Sequence, residues 1–198
     1  MNILIDLLPT SFEIDGVEYE INSDFRTSIL FEMLMQDDDL PDEDKIISAL
    51  ELYYPVLPTD INKAVDKILY FYRCGKDVSK SKRAGNSNGV KQIYSFEHDD
   101  DYIYSAYLDQ YGIDLQDVEY LHWWKFKAMY KALKEDNEIV KIMGYRAMDL
   151  NKITDKEQKQ FYKNMQKIHG IPKNNSDIEK INVIEEALIN GKDISNIL

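Results

Sequence analysis

A histidine followed by three aspartates is the first pattern in the chain that could do chemistry. His98 precedes Asp99, Asp100 and Asp101, and a histidine with a carboxylate three residues later can share a metal ion on one helix face. No other group of His and Cys in the sequence completes four ligands. Aspartates in the first turn of a helix also interact favourably with its macrodipole. We therefore expect a helix start here, with no metal and no cofactor.

The single cysteine, Cys74, is the other candidate, as a nucleophile. It precedes Gly75 at the predicted end of a helix, whereas a reactive thiolate is stabilised at a helix start. The sequence contains no P-loop, dinucleotide fingerprint, nucleophile elbow or zinc motif, and its many carboxylates form no identifiable acid and base pair. We expect a protein without catalytic activity. A small metal-dependent enzyme built on His98 is the alternative.

Composition favours a folded cytoplasmic protein. The chain has 198 residues, 44% of them hydrophobic, so it can bury a core as one domain. No apolar run approaches the roughly 18 residues of a membrane span, and a single cysteine is typical of a reducing cytosol. The formal net charge of −12 would repel phosphate backbones and anionic lipids. Neither nucleic acid nor membrane is therefore an expected partner.

Both tryptophans lie in the segment "EYLHWWKFKAMYKAL", which predicts a helix that is apolar over most of its circumference. Such a helix is normally buried, and the wheel assigns to the core Leu121, Trp124, Phe126, Ala128, Tyr130 and Leu133. Trp123 falls at the border between this arc and a strip of lysines. It is expected either to complete the core or to form a weak partner-binding surface, because tryptophan is often an interface anchor. That surface would contain Trp123, Lys127, Lys131 and Lys134. On this wheel, Trp124→Ala should cost more stability than Trp123→Ala.

The remaining elements predict a mainly α fold, a helical domain with a small N-terminal β-hairpin. Alternating residues on both sides of Asp15-Gly16 predict a hairpin with a type I′ turn, and apolar residues three and four apart predict helices. The predicted segments are 1–74, with the hairpin and three helices; 75–91, a flexible basic linker or loop; 92–170, a helical portion around the tryptophans and in one domain with 1–74; and 171–198, a C-terminal helical appendage.

Several residues signal helix ends. Thr59 is a predicted N-cap. Thr154 with Glu157, and Ser176 with Glu179, match the capping box, in which a hydroxyl and a carboxylate satisfy free amides at a helix start. The linker could alternatively be a nucleic-acid-binding arm, but no aromatic residue interleaves its basic ones.

Six stretches together carry a family resemblance. They are "EIDGVEYEINSDFR", "ALELYYP", "FYRCGK", "YSFEHDDDYIYSAYLDQYGIDL", "YLHWWKFKAM" and "IMGYRAMDLNKITDKEQKQFY". In this order they resemble the bacteriophage gene-product-fifteen family of tailed phages and prophages of low-GC Gram-positive bacteria. The resemblance covers about residues 1–170, and the paired tryptophans with the "GYR" tract make it specific.

The resemblance implies a role in tail morphogenesis and no catalysis. Members are typically encoded between the major tail protein and the tape-measure protein, which is the place of tail assembly chaperones. It therefore implies a chaperone in the host cytoplasm that binds the tape-measure protein and helps to recruit the major tail protein, with homo-oligomerisation left open. The alternative is a structural tail or head–tail connector component that stays in the virion.

Overall fold

The structure is a computed structural model that describes residues 1–76 and 91–172. Within these residues the fold is mainly helical, as predicted, with seven α-helices and one two-stranded antiparallel hairpin. None of the helices in the described ranges combines the length and the apolar character needed to span a membrane. Most of the predicted linker, the predicted appendage beyond residue 172 and the Ser176 cap lie outside the described residues.

Along the chain, the hairpin comes first and is followed by three helices and then by four more. The strands are β1 (Ser11–Ile14) and β2 (Val17–Glu20). The helices are α1 (Phe25–Gln36), α2 (Asp42–Tyr53), α3 (Ile61–Tyr72), α4 (Asp100–Tyr111), α5 (Trp123–Lys131), α6 (Glu138–Ala147) and α7 (Lys156–Ile168), with a short 3₁₀ helix at Leu150–Lys152 before α7.

The hairpin forms as the sequence predicts and lies on a helix. Asp15 and Gly16 both have positive φ, 53° and 77°, which a type I′ turn requires at its two central residues. The ring of Phe12 packs edge-on against Tyr70 and Phe71 of α3. Because an isolated hairpin is marginal in water, this contact supplies the support that the two strands need.

The described residues form two compact units. The first contains residues 1–76 and 113–132, and the second contains 91–112 and 133–172. The predicted 92–170 portion is therefore divided, because α5 belongs with the hairpin and α1–α3. That the two units make one domain stays a prediction.

Helices of the first unit pack in a chain of neighbours around aromatic side chains. α1 packs against both α2 and α5, α2 packs against α3, and α3 packs against β1. Phe31, Tyr53 and Phe71 are buried between them, with rings in edge-on contact. The buried hydroxyl of Ser28 lies 2.8 Å from that of Tyr53, so burial leaves neither oxygen unpaired.

Two helix starts differ from the prediction by one residue. Asp60 caps α3 by accepting from the amide of Lys63 at 3.1 Å, and Asp155 caps α7 through the amide of Gln158 at 2.7 Å. Thr59 and Thr154 were therefore the wrong caps. In each case an aspartate follows the threonine, and its charged oxygen makes the stronger bond to a helix N-terminus.

A buried ion pair organises the second unit. Arg146 of α6 donates to both oxygens of Asp99 at 2.6 Å and 2.9 Å, and the two side chains are 7% and 1% exposed. The same guanidinium donates to the carbonyl of Ile93 at 3.2 Å and to that of His169. Asp99 also accepts from the amide of Ser95 at 2.8 Å. One arginine thus ties the segment before α4 and the end of α7 to α6.

Candidate partner-binding surface

The tryptophan helix is positioned by its first residues. His122 is the N-cap of α5, because its Nδ1 accepts from the amide of Trp124 at 3.0 Å. Its Nε2 lies 3.1 Å from the carbonyl oxygen of Pro9. Since Nδ1 accepts, Nε2 carries the proton and donates to Pro9. One neutral imidazole therefore starts the helix and holds the N-terminal segment beside it.

Acidification is expected to destabilise the protein through the buried His122 and the half-buried His169. Burial lowers the pKa of His122 and of His169 below the ordinary value of 6.5. Because the unfolded chain then binds more protons than the folded one, stability falls as pH decreases from about 6.5 through the folded pKa values. Melting temperatures measured between pH 7.5 and 5 should show this slope. His122→Asn, which keeps a capping side chain, should flatten the slope; an unchanged slope would contradict the role of His122.

Both tryptophans are anchored to the end of α3. Trp123 Nε1 donates to the carbonyl of Tyr72 at 2.9 Å, and Trp124 Nε1 donates to that of Phe71 at 2.7 Å. These carbonyls are the last two of α3, so no amide within the helix reaches them. The carbonyl of Phe71 also accepts from the amide of Cys74 at 2.9 Å. The indole ring of Trp123 also stacks on Tyr72 and on Phe126.

The predicted boundary position of Trp123 is wrong, because its side chain is fully buried. The wheel treated residues 121–133 as one helix, whereas α5 begins at Trp123. Side chains on a helix lean toward its N-terminus, so those of the first turn reach past the helix end. There the end of α3 accepts from both indole N–H groups, and the rings are buried beside the lysine strip rather than exposed at its border.

Of the predicted core residues, all but one are buried. Trp124, Phe126, Tyr130, Leu121 and Leu133 are buried, although Leu121 lies before the helix and Leu133 belongs to the second unit. Ala128 is exposed, so its assignment to the core was wrong. The wheel grouped Ala128 with Leu121, but a residue outside the helix cannot set the helix phase.

Gly75 lets the ring of Trp124 approach the backbone. Its φ is +68°, and a Cβ placed there would lie 2.6 Å from Cη2 of Trp124. Cys74, just before it, also has a positive φ of 57°. Two successive left-handed residues therefore end α3 and leave room for the indole, which agrees with the predicted role of Gly75 as a helix stop.

Gly75→Ala is expected to lower the free energy of unfolding by about 2 kcal/mol or more, since the left-handed backbone alone costs an alanine about 1–2 kcal/mol. Gly112→Ala is the matched control, because Gly112 has a φ of +64° with open space around its Cβ position. Chemical denaturation of both variants separates the two contributions. Equal losses of unfolding free energy in the two variants would show that the Trp124 ring does not clash with a Cβ at position 75.

Beside Trp124 the first unit has a small open cavity of about 200 Å³. Three lysines line it, Lys76, Lys127 and Lys131, together with the apolar side chains of Met1, Ile3 and Trp124. Ala128 and Cys74 complete the lining, and no Asp or Glu of the described residues belongs to it. We call this site the lysine cavity. It is a cationic site on a chain whose net charge is −12.

The predicted lysine strip is only partly brought together. Lys127 and Lys131 both line the lysine cavity, whereas Lys134 does not and belongs to the second unit. The ammonium of Lys127 lies 4.9 Å from the ring centroid of Trp123, a cation–π distance. Burial lowers the pKa of Lys127, and the nearby carboxylate of Glu32 opposes that shift.

Three exposed apolar residues follow the cavity wall in sequence. Leu4, Ile5 and Leu7 are 86%, 80% and 93% exposed and follow Ile3, which lines the cavity. The turn beneath them is held by the amides of Ile5 and Asp6, which both donate to the carbonyl of Asn2 at 3.1 Å and 2.9 Å. We call these three side chains the N-terminal ridge.

Sequence reasoning missed the N-terminal half of this surface. Met1, Ile3 and Lys76 line the cavity, yet they are distant in sequence from α5 and carry no motif. The available signals were an apolar "ILIDLL" run without helical or strand periodicity and the switch to basic residues after α3.

Two of the residues first considered for chemistry, Asp99 and Cys74, lie in environments that do not favour reactivity. Both carboxylate oxygens of Asp99 are bonded to Arg146, and the described residues contain no group of three His, Cys, Asp or Glu side chains arranged around a metal position. Burial raises the pKa of the Cys74 thiol, against the opposing charges of Lys131, Lys127 and Lys76. A thiol kept protonated in this way is a poor nucleophile.

One comparison with known proteins, against protein-family models, gives a match. The family model described as "Bacteriophage Gp15 protein" matches residues 4–171. No curated protein and no solved structure matches the chain. The matched range contains nearly all of the described residues, including α5, most of the lysine cavity and the Asp99–Arg146 pair.

Proposed function

Because the chain belongs to the bacteriophage Gp15 protein family, a family of phage structural or morphogenesis proteins, we propose that it is a tail assembly chaperone. It binds the tape-measure protein in the host cytoplasm and helps to recruit tail-tube subunits, without catalysis. The family membership carries the proposal. The confirmed resemblance implies a gene beside that of the tape-measure protein.

The exposed apolar side chains support binding to a helical protein. A tape-measure protein is a very long helical chain with apolar stretches, which aggregate when they are left uncovered. The N-terminal ridge offers three almost fully exposed aliphatic side chains that can cover such a stretch, as amphipathic partners do in helix recognition. The net charge of −12 would keep the complex dispersed.

Composition of purified virions tests this role against the structural alternative. A chaperone acts before the tail is complete, so mass spectrometry should detect the protein in infected cells and not in mature particles. A connector or tail component would be present in a fixed small number of copies in each particle. That result would overturn the proposal in favour of a virion protein.

A further inference from the structure

The lysine cavity and the N-terminal ridge adjoin along the chain and together make a candidate surface with a cationic part and an apolar part. Met1 and Ile3 belong to the cavity wall, and the ridge residues Leu4 and Ile5 follow them directly. Both parts lie within the first unit. We propose that this surface binds an amphipathic helix that carries acidic residues one helical turn apart beside an aliphatic face.

Charge complementarity identifies the acidic side of the partner. Lys76, Lys127 and Lys131 line the cavity, and no Asp or Glu of the described residues belongs to the lining, although Glu32 lies near Lys127. The chain as a whole has 36 Asp and Glu against 24 Lys and Arg. A cationic site attracts carboxylates, while the rest of an acidic protein repels them. A partner helix with carboxylates therefore docks at this surface in preference to the rest of the molecule.

Spacing of the lysines specifies a helix. Lys127 and Lys131 are four residues apart in α5, so their stems rise from neighbouring positions about 5–6 Å apart. Carboxylates at positions i and i+4 of a partner helix have the same separation. Lys131 is exposed, and Lys127 is half-buried with its ammonium near Trp123.

The apolar part of the surface favours a protein as the bound partner. Leu4, Ile5 and Leu7 stand on a turn that hydrogen bonds hold in place, and the His122–Pro9 bond ties the following residues to α5. A pre-formed apolar ridge loses little entropy on binding. Phosphate backbones would leave this ridge uncovered and would meet the net negative charge of the chain.

The inference rests on the proposed function, since it specifies the kind of tape-measure segment that is held. Three synthetic peptides of roughly 18 residues, long enough to form a helix, test it on the full chain. The first peptide has Leu and Ile on one face and Glu pairs at i and i+4. The second has Lys in place of Glu, and the third has Ser in place of Leu and Ile. Calorimetric titration should show that the first binds at least tenfold more tightly than either control, with an affinity that falls as salt increases.

Charge-reversal variants locate the binding site. Lys76→Glu with Lys131→Glu should weaken binding of the acidic peptide by about tenfold or more, since two favourable pairs become repulsive. Lys125→Glu with Lys159→Glu is the matched control, because both lysines are exposed and neither lines the cavity. That control should bind as the unchanged protein does, and melting curves of both variants verify folding.

Three results would overturn the inference. They are equal affinity for the acidic and basic peptides, equal weakening by the two double variants, and binding of a DNA or RNA oligonucleotide in place of the acidic peptide. A failure of the proposed binding surface can be distinguished from a failure of the proposed function. A tape-measure protein that co-purifies while the acidic peptide does not bind refutes only the surface, and the reverse pattern refutes only the chaperone role.

Discussion

Trp123→Ala is expected to lower the free energy of unfolding by about 3–5 kcal/mol, as much as Trp124→Ala, because each removes a large buried aromatic side chain. Both indoles are almost completely buried, and both donate to terminal carbonyls of α3. Truncation leaves a cavity and removes the indole hydrogen bond to the end of α3 in each case. Equal losses of stability for the two variants differ from the prediction of the helical wheel, in which Trp124→Ala costs more than Trp123→Ala.

Urea denaturation followed by circular dichroism measures both losses without relying on tryptophan emission. Val56→Ala is a suitable control, because Val56 is 70% exposed and its loss should stay within about 0.5 kcal/mol. If the free energy of unfolding of Trp123→Ala is close to that of the unchanged protein while Trp124→Ala is strongly destabilised, the buried position of Trp123 is wrong.

Arg146→Met is expected to destabilise the second unit by about 3–5 kcal/mol, because it leaves the buried carboxylate of Asp99 without its counter-charge. Asp99→Asn should cost a similar amount by leaving the buried guanidinium without its counter-charge. The double variant should cost clearly less than the sum of the two single losses, since the second change removes the charge that the first one stranded.

A double-mutant cycle measured by thermal and urea unfolding tests this coupling. Arg73→Met and Asp100→Asn are the matched controls, since both residues are exposed and should each cost only a few tenths of a kcal/mol. Additive losses in the cycle would show that the Asp99–Arg146 contact does not hold the unit together.

Local patterns in the sequence predicted local structure well. Alternation around Asp15-Gly16 predicts the hairpin and its turn type, and the glycine after α3 predicts the left-handed stop. These features depend on backbone conformations that few residue types favour. The family was also recognisable from sequence, through the tryptophan pair and the tract that contains Arg146.

Features that depend on distant residues were not predictable in this way. Trp123 is buried because α3 ends beside the start of α5, and nothing in the segment around Trp123 encodes that neighbour. Arg146 offered a weak signal, since Ile139 and Ile142 precede it on one face of α6 and all three are buried. Its partner Asp99 was hidden among three aspartates that look alike in sequence.

The candidate surface was half predicted for the same reason. Lys127 and Lys131 share a face of one helix, so their proximity follows from spacing alone. Lys76 and the N-terminal turn join them only because His122 and the end of α3 hold those segments against α5. A helical wheel of α5 contains no information about segments distant in sequence that pack against that helix.

Co-expression with the tape-measure protein of the same phage tests the central claim most directly. The tape-measure protein is expected to become soluble and to co-purify with several copies of this chain. Replacing Leu4, Ile5 and Leu7 together by Ser should reduce the amount of complex, while Val17→Ser, at an exposed residue of the hairpin, should not. If the tape-measure protein stays insoluble and this chain purifies alone, the chaperone function is contradicted.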